Sequence, residues 1–137
     1  MHLKILGMKV LIIDSSIEII ERLQQALCET EEVVAAYGAV AYKDGFAFFK
    51  DVKPALVLLD SGLPGGESVR LLQDIKKMNR KTPVAIMHSG TDGEWQQEND
   101  FSVADLFFDK YHDFEKLPGV VKVIAAEMKE VTSDGVL

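Results

Sequence analysis

Two aspartates stand where apolar runs stop. Asp60 closes Ala55-Leu56-Val57-Leu58-Leu59 and leads into Ser61-Gly62-Leu63-Pro64-Gly65-Gly66; Asp14 closes Lys9-Val10-Leu11-Ile12-Ile13 ahead of Ser15-Ser16. A third run, Val84-Ala85-Ile86-Met87, ends in His88-Ser89-Gly90, and a fourth, Leu106-Phe107-Phe108-Asp109, ends in Lys110. Uninterrupted apolar runs of this length read as strands buried on both faces, the mark of a parallel sheet. Open parallel sheets bind their ligands at the carboxyl ends of the strands. Those ends would therefore gather two carboxylates, an imidazole or hydroxyl, and an amine. A carboxylate is costly to bury without a cation or hydrogen-bond donors, so Asp60 implies charge-compensated chemistry at that edge.

The segments between the strands must return the chain to the opposite edge, and their spacing suits helices. Ser16 can cap a helix reaching about Glu29, with Ile17, Ile20, Leu23, Ala26 and Leu27 on one face against the sheet. Residues 33–37 read as strand two. Asp44-Gly45 then opens a short helix over 46–50, whose Phe46, Phe48 and Phe49 read as core and its rim. Residues 67–79 predict a helix with Val69, Leu72, Ile75 and Met78 inward, broken by Thr82-Pro83. Residues 91–104, holding Trp95 among acids and amides, predict a less regular helix. The last helix starts at Phe114 or Leu117 and reaches about Lys129, with Pro118 in its first turn and Val120, Val121, Ile124, Ala125 and Met128 along one side.

Composition sets the outer bounds. A chain of 137 residues fits one domain with a sizeable core, here about residues 8–130 with 131–137 as a flexible tail. With 15 basic and 22 acidic residues the net charge is -7, which argues against non-specific binding of nucleic acid or anionic membrane. The single cysteine, Cys28, excludes an internal disulfide and reads as a small buried hydrophobe in the first helix. No apolar run approaches the roughly 18 residues needed to span a bilayer, and the start is too short for a signal peptide. A cytoplasmic location is expected.

The strand-end residues make the chain resemble the receiver domain of two-component response regulators, the phosphoacceptor domain shared with the chemotaxis response regulator. The resemblance covers residues 9–129. It implies an α/β, doubly wound (βα)5 three-layer sandwich of the flavodoxin-like kind, with five parallel strands in the order 2-1-3-4-5. It also implies phosphoryl transfer to Asp60 with Mg²⁺ held by Asp14, Asp60 and the backbone carbonyl of Gly62, and Lys110 paired with the phosphoryl group. The switch hydroxyl falls on His88 or, one step later, Ser89. The signalling aromatic falls on Phe107 or Phe108. Partners implied are a histidine kinase or phosphotransfer protein upstream, and a downstream protein docking on the face of the fourth helix, fifth strand and fifth helix. Trp95 and Tyr111 lie near that face as candidate anchors. A homodimer is compatible with it.

The chain departs from the receiver pattern at three places. Ser15 stands where the resemblance expects a second acid, the direct metal ligand, so Mg²⁺ affinity should be low. Glu18, one turn on, reads as solvated. Tyr111 replaces the proline that ordinarily follows the lysine behind a cis peptide; a cis bond to a non-proline costs about 2.5–4 kcal/mol, which predicts trans and a shifted loop. His88 at the switch position would add an imidazole titrating near neutral pH. His2 and His112 have no partners at metal-ligand spacing and receive no role.

Two readings follow. In one, the chain is a working receiver whose only catalysis is its own phosphorylation and dephosphorylation, and whose binding surface shifts on phosphorylation. In the other, the altered acid pair, switch and proline mark a pseudo-receiver that docks proteins without phosphorylation. A flavodoxin-type cofactor loop, a P-loop and an Asp-x-Asp phosphatase pair are all missing at the expected positions.

Overall fold

The computed structural model describes residues 7–89 and 101–136, with side chains described as far as residue 128. Five parallel strands, β1 (Met8–Ile13), β2 (Val33–Ala39), β3 (Leu56–Asp60), β4 (Val84–His88) and β5 (Leu106–Asp109), form one sheet in the order β2-β1-β3-β4-β5. Four α-helices accompany them among the described residues: α1 (Ile17–Cys28), α2 (Tyr42–Val52), α3 (Glu67–Met78) and α4 (Leu117–Val136). Short 3-10 turns over Pro64–Gly66 and Phe114–Lys116 lead into α3 and α4.

The runs read as doubly buried are so: every residue of β3 is buried, as are all of β1 except Lys9. Their alternate side chains feed two cores. On one face Val10, Ile12, Leu58 and Met87 meet Ile20 and Leu23 of α1 and Val121 and Ile124 of α4. On the other, Leu11, Ile13, Leu59 and Ile86 meet Phe49 of α2 and Leu71, Leu72 and Ile75 of α3. The sheet is thus covered on both sides, the three-layer arrangement expected.

Several boundaries differ from the sequence expectation. Helix α2 begins at Tyr42, ahead of Asp44-Gly45. Gly45 sits inside it because the helix crosses close to β1: a Cβ there would lie 3.0 Å from Ile13 Cδ1. Phe49 is buried and Phe46 and Phe48 pack on the same core, as core and rim. Strand β2 runs on to Ala39 and β4 includes His88. Ile17 and Met78, expected inward, are exposed, each being a terminal residue of its helix; Ile19 takes the inward place beside Ile20. Cys28, expected buried, is exposed at the last residue of α1. Helix α4 continues past Lys129 to Val136, through the segment expected as a tail. The helix expected over 91–104, with Trp95, lies outside the described residues apart from 101–104, where Phe101 is buried against the α3 side. No helix among the described residues is long and apolar enough to cross a membrane.

Candidate functional site

At the carboxyl edge of the sheet the chain brings together Asp14, Asp60 and Lys110, all buried. Asp60 is the last residue of β3, Asp14 follows β1, and Lys110 follows β5, so the order β1-β3-β4-β5 sets the acids on adjacent strands with the lysine arriving from the sheet edge. The Lys110 Nζ donates to Asp14 Oδ2 at 2.7 Å and to Asp60 Oδ1 at 3.2 Å. Burial alone would lower the lysine pKa, but the hydrogen bond to Asp14 and the charges of Asp60 and Asp14 outweigh it and raise it above the ordinary value.

Each carboxylate is further held by the loop that follows it. Asp14 Oδ1 accepts the Ser16 N–H at 2.8 Å, and the Ser16 hydroxyl in turn accepts the Ile19 N–H, capping α1 as its sequence position predicts. Asp60 Oδ1 accepts the Gly62 N–H at 3.1 Å. Asp60 Oδ2 is engaged by none of the described residues. The Asp60 loop is pinned from below by Ser68, which is buried in the first turn of α3: its hydroxyl donates to the Asp60 carbonyl at 2.6 Å and accepts the Leu63 N–H at 2.9 Å. The Ser61 N–H bonds the Met87 carbonyl, tying the same loop to β4. Two successive left-handed glycines, Gly65 (φ 68°) and Gly66 (φ 73°), then turn the chain into α3.

Ser15 is exposed, so a neutral hydroxyl faces solvent beside the pair, and Glu18 is exposed in the first turn of α1. The oxygens gathered here are those of two carboxylates, hard donors of the kind Mg²⁺ takes, with one ammonium already among them. No cluster of three or more His, Cys, Asp or Glu that could hold a metal occurs among the described residues. The oxygens fit a magnesium ion in kind and fall short in charge.

His88 and Asp109 are register partners at the ends of β4 and β5, with His88 Nδ1 at 4.0 Å from Asp109 Oδ2. His88 is half-buried and Ser89 exposed, while Gly90 lies outside the described residues. Phe107 is 37% exposed, whereas Phe108 packs on the α1–α4 side of the sheet. No cis peptide occurs among the described residues, so Lys110–Tyr111 is trans as expected.

Sequence reasoning missed Ser68, Asp109 and Asp113. Asp109 Oδ1 accepts the N–H groups of Tyr111 and His112 at 2.8 and 2.9 Å, and its Oδ2 lies 3.1 Å from His112 Nδ1, a contact for a histidine to which sequence spacing assigns no role. Burial would raise the Asp109 pKa, yet the amides of His112 and Tyr111 and the His112 ring bring it down to about 2. An aspartate ahead of a loop is a recognisable Asx-turn former, so Asp109 carried a readable signal. Ser68 carried none.

Neither a family model nor a curated protein sequence matches the chain. Solved structures do. The receiver domain of a Francisella response regulator shares 19% identity, with 89% of this chain and 99% of that one covered and a TM-score of 0.75. The signal receiver domain of a DNA-binding response regulator from Colwellia psychrerythraea shares 22% identity, covering 88% of this chain and 99% of that one, with a TM-score of 0.76. A Thermotoga maritima response regulator in complex with Mg²⁺-BeF shares 20%, covering 85% and 98%, with a TM-score of 0.75. The chain has the fold of response-regulator receiver domains, and its buried Asp14–Asp60–Lys110 cluster lies at the sheet edge where such folds bind.

Proposed function

We propose that the chain is a receiver that accepts a phosphoryl group on Asp60. The observation that carries this reading is the Lys110 ammonium shared between two buried carboxylates, a preset cation beside an aspartate whose Oδ2 is engaged by none of the described residues. In the step proposed, that oxygen attacks phosphorus as the bond to the donor breaks, the leaving group departs with the bonding pair, and the acyl phosphate remains on Asp60. A phosphohistidine of a histidine kinase or phosphotransfer protein is the donor class implied, and a small phosphodonor would serve. Lys110 supplies positive charge to the incoming oxygens.

Asp14, Asp60 and the Gly62 carbonyl would hold Mg²⁺, with Ser15 at the degenerate acidic position. A bound magnesium ion supplies charge neutralisation between carboxylate and phosphoryl oxygens. His88 or Ser89 takes the switch role. Phe107 or Phe108 takes the role of the signalling aromatic; Phe107 is the more exposed of the two. The output is a change in a protein-binding surface near β5, and the setting consistent with such signalling is the cytoplasm.

The test is an amide NMR titration of the full chain with Mg²⁺ and then beryllofluoride, with Asp60→Asn as control. Shifts at Asp14, Asp60, His88, Ser89 and Lys110 that reach Phe107 and vanish in the control are expected. One observation favours the second reading, a phosphorylation-independent docking module. Ser15 is neutral while Lys110 already stands nearer Asp14 than Asp60, so one of the two carboxylate charges is compensated without metal. Silence at millimolar Mg²⁺ with beryllofluoride would select that reading.

A further inference from the structure

We propose that Asp109 is the positioning residue for Lys110, supplying through side-chain hydrogen bonds the loop constraint that a following proline would otherwise provide. The proposal rests on the role given to Lys110 in the phosphoacceptor reading, but the geometry behind it does not.

A closed set of hydrogen bonds surrounds one residue. On the far side of Lys110, the Asp109 carboxylate receives the Tyr111 and His112 N–H groups. On the near side, the Asp109 N–H donates to Asp113 Oδ2 at 2.9 Å, and the Asp113 N–H returns to the Asp109 carbonyl at 2.9 Å. Lys116 N–H then bonds the Asp113 carbonyl, joining this turn to the start of α4. The Lys110 N–H itself donates to the His88 carbonyl at 2.9 Å. The lysine backbone is therefore fixed before, at and after its own position, and only side-chain torsions remain between it and the two carboxylates.

Three features make this positioning rather than general stapling. The hydrogen bonds of the Lys110 ammonium go to Asp14 and Asp60 and not to Asp109, so the hydrogen-bonded link from Asp109 to Lys110 runs through the backbone. The carboxylate is buried and, with its pKa held to about 2, is an ionised acceptor at neutral pH; charged acceptors form the stronger bonds. And Tyr111, in trans, leaves the loop without the fixed φ of a proline, so some other constraint must hold it.

The experiment follows the Lys110 ammonium by ¹⁵N–¹H and ¹³Cε correlation in the full chain at neutral pH, without Mg²⁺ or any phosphodonor. Asp109→Ala should speed exchange of the ammonium protons at least several-fold and move the ¹³Cε shift towards that of an exposed lysine. Asp109→Asn keeps an oxygen that can accept both amides and should restore the wild-type signal. An Asp109→Ala protein with lowered melting temperature but unchanged Lys110 signals would overturn the proposal and leave a merely structural role. If Asp109→Ala does not fold, Asp113→Ala, which removes the acceptor for the Asp109 N–H together with an exposed ion pair to Lys116, is expected to move the Lys110 signals in the same direction while Lys116→Ala, which removes the ion pair alone, leaves them unchanged; unchanged signals in Asp113→Ala overturn the proposal too. Because no phosphoryl mimic is used, failure of the phosphoacceptor reading appears separately, as silence to beryllofluoride with the Asp109 effect intact.

Discussion

Lys110 and Asp14 are joined at 2.7 Å, a shorter contact than the 3.2 Å between Lys110 and Asp60. The lysine that the phosphoacceptor reading assigns to Asp60 thus rests chiefly on the other acid. The consequence is that freeing Asp60 need not free the lysine, and the two acids can be altered with distinguishable effects.

Removing the shared cation should leave two neighbouring buried carboxylates. Lys110→Met is expected to destabilise the fold by about 3 kcal/mol at pH 7, in the range for breaking a buried ion pair. Because the folded-state pKa of Lys110 is raised, its contribution is complete below the ordinary value of 10.5 and fades as pH rises through the higher folded value. Urea unfolding across pH measures both, and an undiminished midpoint at pH 7 would contradict the assignment.

Asp109 should govern part of the acid limb. Its pKa falls from 3.8 to about 2 on folding, so its stabilisation is present above 3.8 and is lost as pH drops through about 2. The shift corresponds to about 2 kcal/mol as an upper figure. Asp109→Asn should flatten the stability curve between about pH 5 and pH 2, and a wild-type slope in that variant would show that other groups carry the acid transition.

Restoring an acid beside Asp14 should strengthen magnesium binding. Ser15→Asp is expected to raise Mg²⁺ affinity on the order of tenfold, about 1.4 kcal/mol, by adding a hard anionic ligand. Calorimetric titration reads this directly. Equal affinities would mean that the exposed Ser15 position does not face the ion.

Ser68→Ala should unpin the Asp60 loop. It removes the donor to the Asp60 carbonyl and leaves the Leu63 N–H without its partner, for a cost of about 1–3 kcal/mol. Amide exchange at Leu63 should quicken more than exchange in β1, and uniform behaviour across the two would remove Ser68 from the site's support.

The sheet and the three charged groups were legible in the sequence because doubly buried strands are written as unbroken apolar runs, and a charge directly after such a run must fall at the carboxyl edge of the sheet. What was not legible depended on contacts without periodicity. Ser68 acts through one hydroxyl between two backbone groups, and nothing in Gly66-Glu67-Ser68-Val69 marks it. The start of α2 reads too late in the sequence because Gly45 looks like a helix opener, whereas its absent side chain is what lets α2 lie close to Ile13. Ile17 and Met78 satisfy the helical spacing but lie at ends, where the amphipathic pattern outlasts the contact with the sheet. The choice between His88 and Ser89 turns on a one-residue register. Strand β4 includes His88 and pairs it with Asp109, so the imidazole stands at the strand end while Ser89 lies beyond it.

The paired glycines after Asp60 have a consequence for how this protein tolerates change. Both hold left-handed backbone angles, yet a side chain built on either would meet nothing within 4 Å. The restriction there is stereochemical and not one of room. Asparagine and aspartate, which enter that region at small cost, should be accepted at Gly65 or Gly66 more readily than alanine, and valine or isoleucine least. Substitution tolerance along this loop should therefore rank by backbone preference, with side-chain volume nearly irrelevant, the reverse of the ranking expected at Gly45.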